Sequence, residues 1–169
     1  ARMSSFRTAA GMMQLAPRVL DVSGETRGTL DHFGVASGDQ RSIAWQLLAA
    51  RRLVEHGVRV VEVVHTGSGA NWDSHGDMQQ HRRRARDIDR PLAALIADLE
   101  MRGLLDETLV AICTEFGRSP AGTENEKGRN HHNSAFTCLL AGGGTRPGTV
   151  HGQSDEYGNV VASDEVHVH

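Results

Sequence analysis

Apolar positions recur along the chain with two distinct periods, and the alternation between them predicts the elements. Ile43, Leu47, Ala50 and Val54 repeat at helical spacing, and Gly57 stands where a left-handed cap would end the turn, so a helix is predicted over about 40–56. It runs straight into Val58-Arg59-Val60-Val61-Glu62-Val63-Val64, a β-branched stretch that reads as a buried parallel strand ending at His65. A second helical region follows His75, with Ser74 as an N-cap and Asp77 three residues on. Pro91 is expected to kink or restart it before Leu92, Leu95, Ile96 and Leu99 carry the apolar stripe to Gly103.

Two further apolar runs read as core strands: Thr108 to Cys113, and Ala135 to Ala141, the latter closed by three glycines. Between them, residues 116–132 are polar and aperiodic, a loop of a length that is seldom idle in a compact domain. The first 38 residues read as a peripheral helical arm, with a helix from about Ser4 to Leu15 stopped near Pro17 and a short one over Thr29 to Phe33 ending at Gly34. Residues 149–169 resist assignment. The order helix, strand, helix, strand, loop, strand predicts an α/β three-layer sandwich with a mostly parallel sheet over residues 39–169.

Composition narrows the function classes. The 169 residues suit one domain, and Lys+Arg 18 against Asp+Glu 21, a net charge of -3, gives no footprint for nucleic acid. The basic run Arg82-Arg83-Arg84-Ala85-Arg86 is followed by Asp87 and Asp89 and reads as a solvated helix face. No stretch approaches the roughly 20 apolar residues of a membrane span. Cys113 and Cys138 lie in apolar runs and read as small buried hydrophobes, forming no disulfide framework.

Chemistry concentrates in three polar clusters at the ends of the strand-like runs. Trp72-Asp73-Ser74-His75, with His65, Asp77 and His81 nearby, supplies carboxylate and imidazole, the donor types that hold zinc and similar ions in hydrolytic sites. Glu115 and Arg118 place a carboxylate and a guanidinium after the second strand, where they would bind an anionic substrate or simply pair with each other. His131 and His132 are adjacent, so on extended backbone their rings point to opposite sides and one of them is expected to be structural. Gly67-Ser68-Gly69 lacks the Gly-x-Ser-x-Gly pattern of a nucleophile elbow, and Gly142-Gly143-Gly144 lacks dinucleotide-binding spacing.

These clusters and their surroundings resemble the DUF1501 family, sulfatase-like proteins of the alkaline phosphatase superfamily. The resemblance is carried by Leu48 to Arg59, by Trp72-Asp73-Ser74-His75-Gly76, by Gly103 to Val110 leading into Glu115-Phe116-Gly117-Arg118-Ser119-Pro120, by Gly128-Arg129-Asn130-His131-His132 and by Leu140-Ala141-Gly142-Gly143-Gly144. It implies an alkaline phosphatase-like fold and hydrolysis of a phosphate or sulfate ester with a divalent metal: zinc, calcium or magnesium. Carried onto this chain, it makes Asp73, His75 and His131 or His132 metal ligands, Glu115 a ligand or polar site residue, and Arg118 a contact to the anion.

Phe116 departs from the Asp-His of sulfatase-like relatives, and Asn130 from the family's Gly-Arg-Asp-His. The resemblance also implies that this chain is the C-terminal part of a longer catalytic unit, inactive alone without its completing segments, and that the parent is periplasmic or secreted. A non-catalytic secreted binding or scaffold protein on the same fold, or a phosphomutase-type transferase, are the rival expectations.

Overall fold

A computed structural model of the chain describes residues 2–65, 71–124 and 127–166. By its internal contacts the chain forms two compact units, residues 1–65 with 87–104 and residues 66–86 with 105–169.

The first unit is helical. Helix α1 (Arg2–Leu20) runs through Pro17 rather than stopping there, with the Asp21 amide donating to the Pro17 carbonyl at 3.1 Å. Helix α2 (Arg27–Phe33) starts at Thr26, whose hydroxyl accepts from the Thr29 amide, and ends at Gly34 in the left-handed region, φ 80°. Helix α3 (Ile43–Glu55) is capped by Ser42, whose hydroxyl accepts from the Trp45 amide, and is followed by Gly57 at φ 78°. Both C-terminal glycines sit where L side chains are strained, which is why their spacing was readable in the sequence. Helix α4 (His81–Met101) contains Pro91 without interruption and leads from the second unit into the first.

Val19, Val22, Phe33, Val35, Ile43, Leu47, Leu48, Leu95 and Leu99 are buried together with four alanines of α3 and α4. Residues 1–38 thus contribute directly to the core of this unit. Among them lies a charged group: Arg51 is 2% exposed, with its Nη2 2.8 Å from Glu25 Oε2, its Nη1 2.5 Å from Glu55 Oε2 and its Nε 2.9 Å from Asp98 Oδ2. Arg52 pairs with the other Glu25 oxygen and donates from Nε to the Val19 carbonyl at 2.6 Å, while Arg102 bridges Asp98 and Glu55. Three guanidinium groups and three carboxylates therefore neutralise one another and tie α3 to α4 and to the segment after α1.

Burial opposes the charge of Glu25, but its hydrogen bonds from Arg52 and Arg51 outweigh that and hold the carboxyl below its ordinary range. A carboxyl whose folded pKa is depressed stabilises fully above the unfolded value, about 4.3, and loses that stabilisation as pH falls through the folded value. The midpoint of thermal unfolding is accordingly expected to fall as pH is lowered below about 4.3, and less so in Glu25→Gln, as followed by circular dichroism across a pH series.

The second unit overturns the expected sheet. Its strands form three separate antiparallel pairs: β1 (Leu109–Ile112) with β4 (Leu139–Gly142), β2 (Gly117–Gly122) with β3 (Arg129–His132), and β5 (Gln153–Ser154) with β6 (Val161–Ser163). There is no mostly parallel sheet and no three-layer sandwich among the described residues. The Val58–Val64 run, expected to be a buried strand, has no strand assignment, and Val60 is 84% exposed. Period and β-branching make such a run able to be a strand, yet a ladder needs a partner, which no neighbouring sequence can announce.

Other expectations are revised in the same unit. The loop over 116–132 is mostly hairpin, β2 and β3, with a register shift between Arg118 and Gly122. Asp77, not Ser74, caps the short 3-10 turn Met78–Gln80 that precedes α4, and buried Ser74 hydrogen-bonds the Gln80 side chain. Cys113 and Cys138 are exposed rather than buried, at the end of a strand pair on which Leu109, Leu139 and Leu140 are exposed as well. No hydrophobic side chain of this unit is buried among the described residues. The segment Gly67-Ser68-Gly69 lies outside the described residues.

Candidate metal centre

Two segments remote in sequence, the turn at 72–76 and strand β3, bring three donor side chains together. His131 Nε2 lies 2.7 Å from Asp73 Oδ1 and His75 Nε2 3.3 Å from the same oxygen. One ligand atom from each of Asp73, His75 and His131 can be chosen so that all lie within 4.8 Å of one another. The Asp73 side chain is 75% exposed and the two rings are partly exposed, so the group opens to solvent. Hydrogen bonds from His131 and His75 hold the Asp73 carboxyl below its ordinary range, keeping it a charged donor well into mild acid.

The placement of each ring has a local cause. His131 sits opposite Arg118 in the β2–β3 register, and its ring packs against Phe116 with centroids 4.0 Å apart and against His75 at 4.5 Å. Phe116 therefore fixes the plane of a candidate ligand by apolar contact. His75 is held by the approach of strand β3: a Cβ on buried Gly128 would overlap the His75 carbonyl oxygen and come within 2.7 Å of the Thr123 hydroxyl. Only a residue without a side chain fits there.

The remaining candidates are placed elsewhere. His132 points away, as extended backbone requires, with Nε2 donating to the Asn159 carbonyl at 2.8 Å. His81 donates from Nε2 to the Trp72 carbonyl at 2.8 Å and stacks on the Trp72 ring, centroids 5.7 Å apart. Arg118 donates from Nη2 to that same Trp72 carbonyl and from Nη1 to the Arg129 carbonyl at 3.1 Å, fastening the turn that carries Asp73 onto the hairpin that carries His131. Glu115 is exposed and stands outside the three-donor group. Asp77 is occupied in capping the turn before α4, accepting from the Gln79 amide.

Along its whole length, residues 1–169, the sequence matches the family described as protein of unknown function (DUF1501). The chain belongs to the DUF1501 family. Searches of the curated proteins and of the solved structures gave no match. No helix among the described residues of this DUF1501 chain is long and apolar enough to cross a membrane.

Two imidazoles and one carboxylate suit a divalent cation of intermediate softness, with zinc a better fit than calcium or magnesium, which prefer all-oxygen sets. Three protein donors leave further coordination positions open. An open cavity of about 490 Å³ adjoins the group, lined by His75, Gly76, Thr123, Glu124 and Asn130. Sequence reading found the three donors but missed Phe116, Gly128 and the carbonyl clamp of Arg118. All three stood in the conspicuous runs Glu115 to Pro120 and Gly128 to His132, but their supporting roles depend on contacts that only the folded chain makes.

Proposed function

We propose that Asp73, His75 and His131 hold a divalent cation, with zinc preferred, and that this centre serves the hydrolysis of phosphate or sulfate esters. The observation that carries the metal reading is the meeting of three donors from segments nearly sixty residues apart. The choice of a phosphate or sulfate ester rests on the likeness of the surrounding motifs to sulfatase-like relatives, and so does export of the parent protein to the periplasm or beyond. Bound at this set, the ion would supply Lewis-acid stabilisation of charge on the transferring group.

The side chains have distinct tasks in this reading. Asp73, its carboxyl held below the ordinary range, contributes the negative donor, and each ring contributes a neutral nitrogen in the tautomer that turns a lone pair to the ion. Arg118 acts as a positioning residue through its hold on the Trp72 carbonyl, and Thr123, Glu124 and Asn130 offer hydroxyl, carboxylate and amide groups to the substrate.

Calorimetric titration of the chain with zinc, manganese, calcium and magnesium tests the metal reading. Binding is expected for zinc, and Asp73→Ala or His131→Ala should abolish measurable heat, whereas His132→Ala should retain it. Undiminished zinc binding in Asp73→Ala would refute the ligand assignment. A panel of phosphate and sulfate esters, offered to the longest form of the protein that can be produced, tests the reaction separately. Metal binding with turnover of neither ester class would favour a non-catalytic binding role.

A further inference from the structure

Cys113 and Cys138 were read from the sequence as unrelated buried residues, and the strand register relates them. Strands β1 and β4 pair antiparallel from Leu109 opposite Gly142 to Ile112 opposite Leu139. The ladder ends there, and one further step in the same register, just beyond the paired residues, would set Cys113 opposite Cys138. Facing residues of an antiparallel pair have Cα atoms about 4.5–5.5 Å apart and side chains on one face, inside the roughly 4.4–6.8 Å span that a disulfide bridges without backbone movement. Both thiols are free and exposed, so an oxidant in solution can reach them.

We propose that Cys113 and Cys138 form a reversible cross-strand disulfide that closes the base of the segment carrying the β2–β3 hairpin. Phe116, Arg118 and Gly128, which help to position His131, all lie between the two cysteines. Both ends of that segment would be fixed by one covalent bond. The oxidant is a low-molecular-weight disulfide such as glutathione disulfide. One cysteine thiolate attacks its S–S bond, forming a mixed disulfide and releasing one glutathione thiolate. The second cysteine thiolate then attacks the protein sulfur of the mixed disulfide, and the second glutathione leaves. The protein loses two electrons, the glutathione disulfide gains them, and the two cysteine protons end on the two released thiols.

This proposal stands independently of the metal reading. The experiment equilibrates the chain with glutathione redox buffers, quenches with acid and identifies the products by intact mass and by a non-reducing peptide map. A species lighter by two hydrogen atoms, with the Cys113 and Cys138 peptides linked, is the expected product. Its equilibrium constant should be roughly tenfold or more greater in the folded chain than in urea, because the fold already holds the two strands together. Cys113→Ser should leave Cys138 as a glutathione adduct. Separate stable adducts on both cysteines, linkage between two chains, or an intramolecular bond formed no more readily than in urea would each overturn the proposal.

Discussion

Replacing Arg51 with methionine is expected to destabilise the helical unit by about 3–5 kcal/mol, the cost of removing one partner from a buried ion pair. The guanidinium faces Glu25, Glu55 and Asp98 from three of its nitrogens and is almost wholly shielded from water. Its Nε and Nη2 meet their carboxylates as ion pairs rather than as well-directed hydrogen bonds. Methionine fills much of the same volume, so the loss arises from uncompensated charge rather than from a cavity. Arg52 keeps its pair with Glu25, and Arg102 its pairs with Glu55 and Asp98, so each acid retains one cation but loses the central one.

Arg51→Lys should lose an intermediate amount. An ammonium is a point charge and cannot address three carboxylates from three directions at once. Urea unfolding followed by helical circular dichroism checks both variants. A loss under about 1 kcal/mol for methionine would mean that the three carboxylates reorganise at little cost, and that the network is not what joins α3 to α4.

Gly128→Ala is expected to weaken zinc binding by roughly 10–100-fold or more, the range seen when the groups supporting metal ligands are altered. The added methyl cannot be accommodated by a flexible side chain, because what it meets is the backbone carbonyl of His75 itself. Either strand β3 retreats, carrying His131 with it, or the 72–76 turn shifts and moves His75. Both movements separate donors that must stay within a few ångströms.

Gly24→Ala serves as the control, since a Cβ there meets nothing within 4 Å. Zinc affinity measured for the two variants, with helical content monitored alongside, separates a local effect from general unfolding. Affinity in Gly128→Ala within twofold of the parent would show that the approach of β3 to His75 does not control the centre.

The sequence by itself determined most of the helices and offered Asp73, His75 and one of His131 and His132 as candidate donors. Ile43, Leu47, Ala50 and Val54, with Ser42 before and Gly57 after, specify α3 through neighbours within one or two turns, and Thr26 and Gly34 do the same for α2. Local capping and a 3.6-residue period need no knowledge of the rest of the chain. Asp73, His75 and the His131–His132 pair were legible as candidate donors because carboxylate and imidazole are the groups that hold such ions, and the alternation of side chains on a strand already set His131 and His132 on opposite sides.

Tertiary structure alone decided the pairing. Val58–Val64 and Leu109–Ile112 look equally like strands from their composition, yet one stands without a ladder and the other pairs antiparallel with Leu139–Gly142. Strand partners and the close approach of Gly128 to His75 are relations between distant residues. Sequence carries each half of such a relation separately, and only the folded chain, by closing the intervening loops, determines which halves meet.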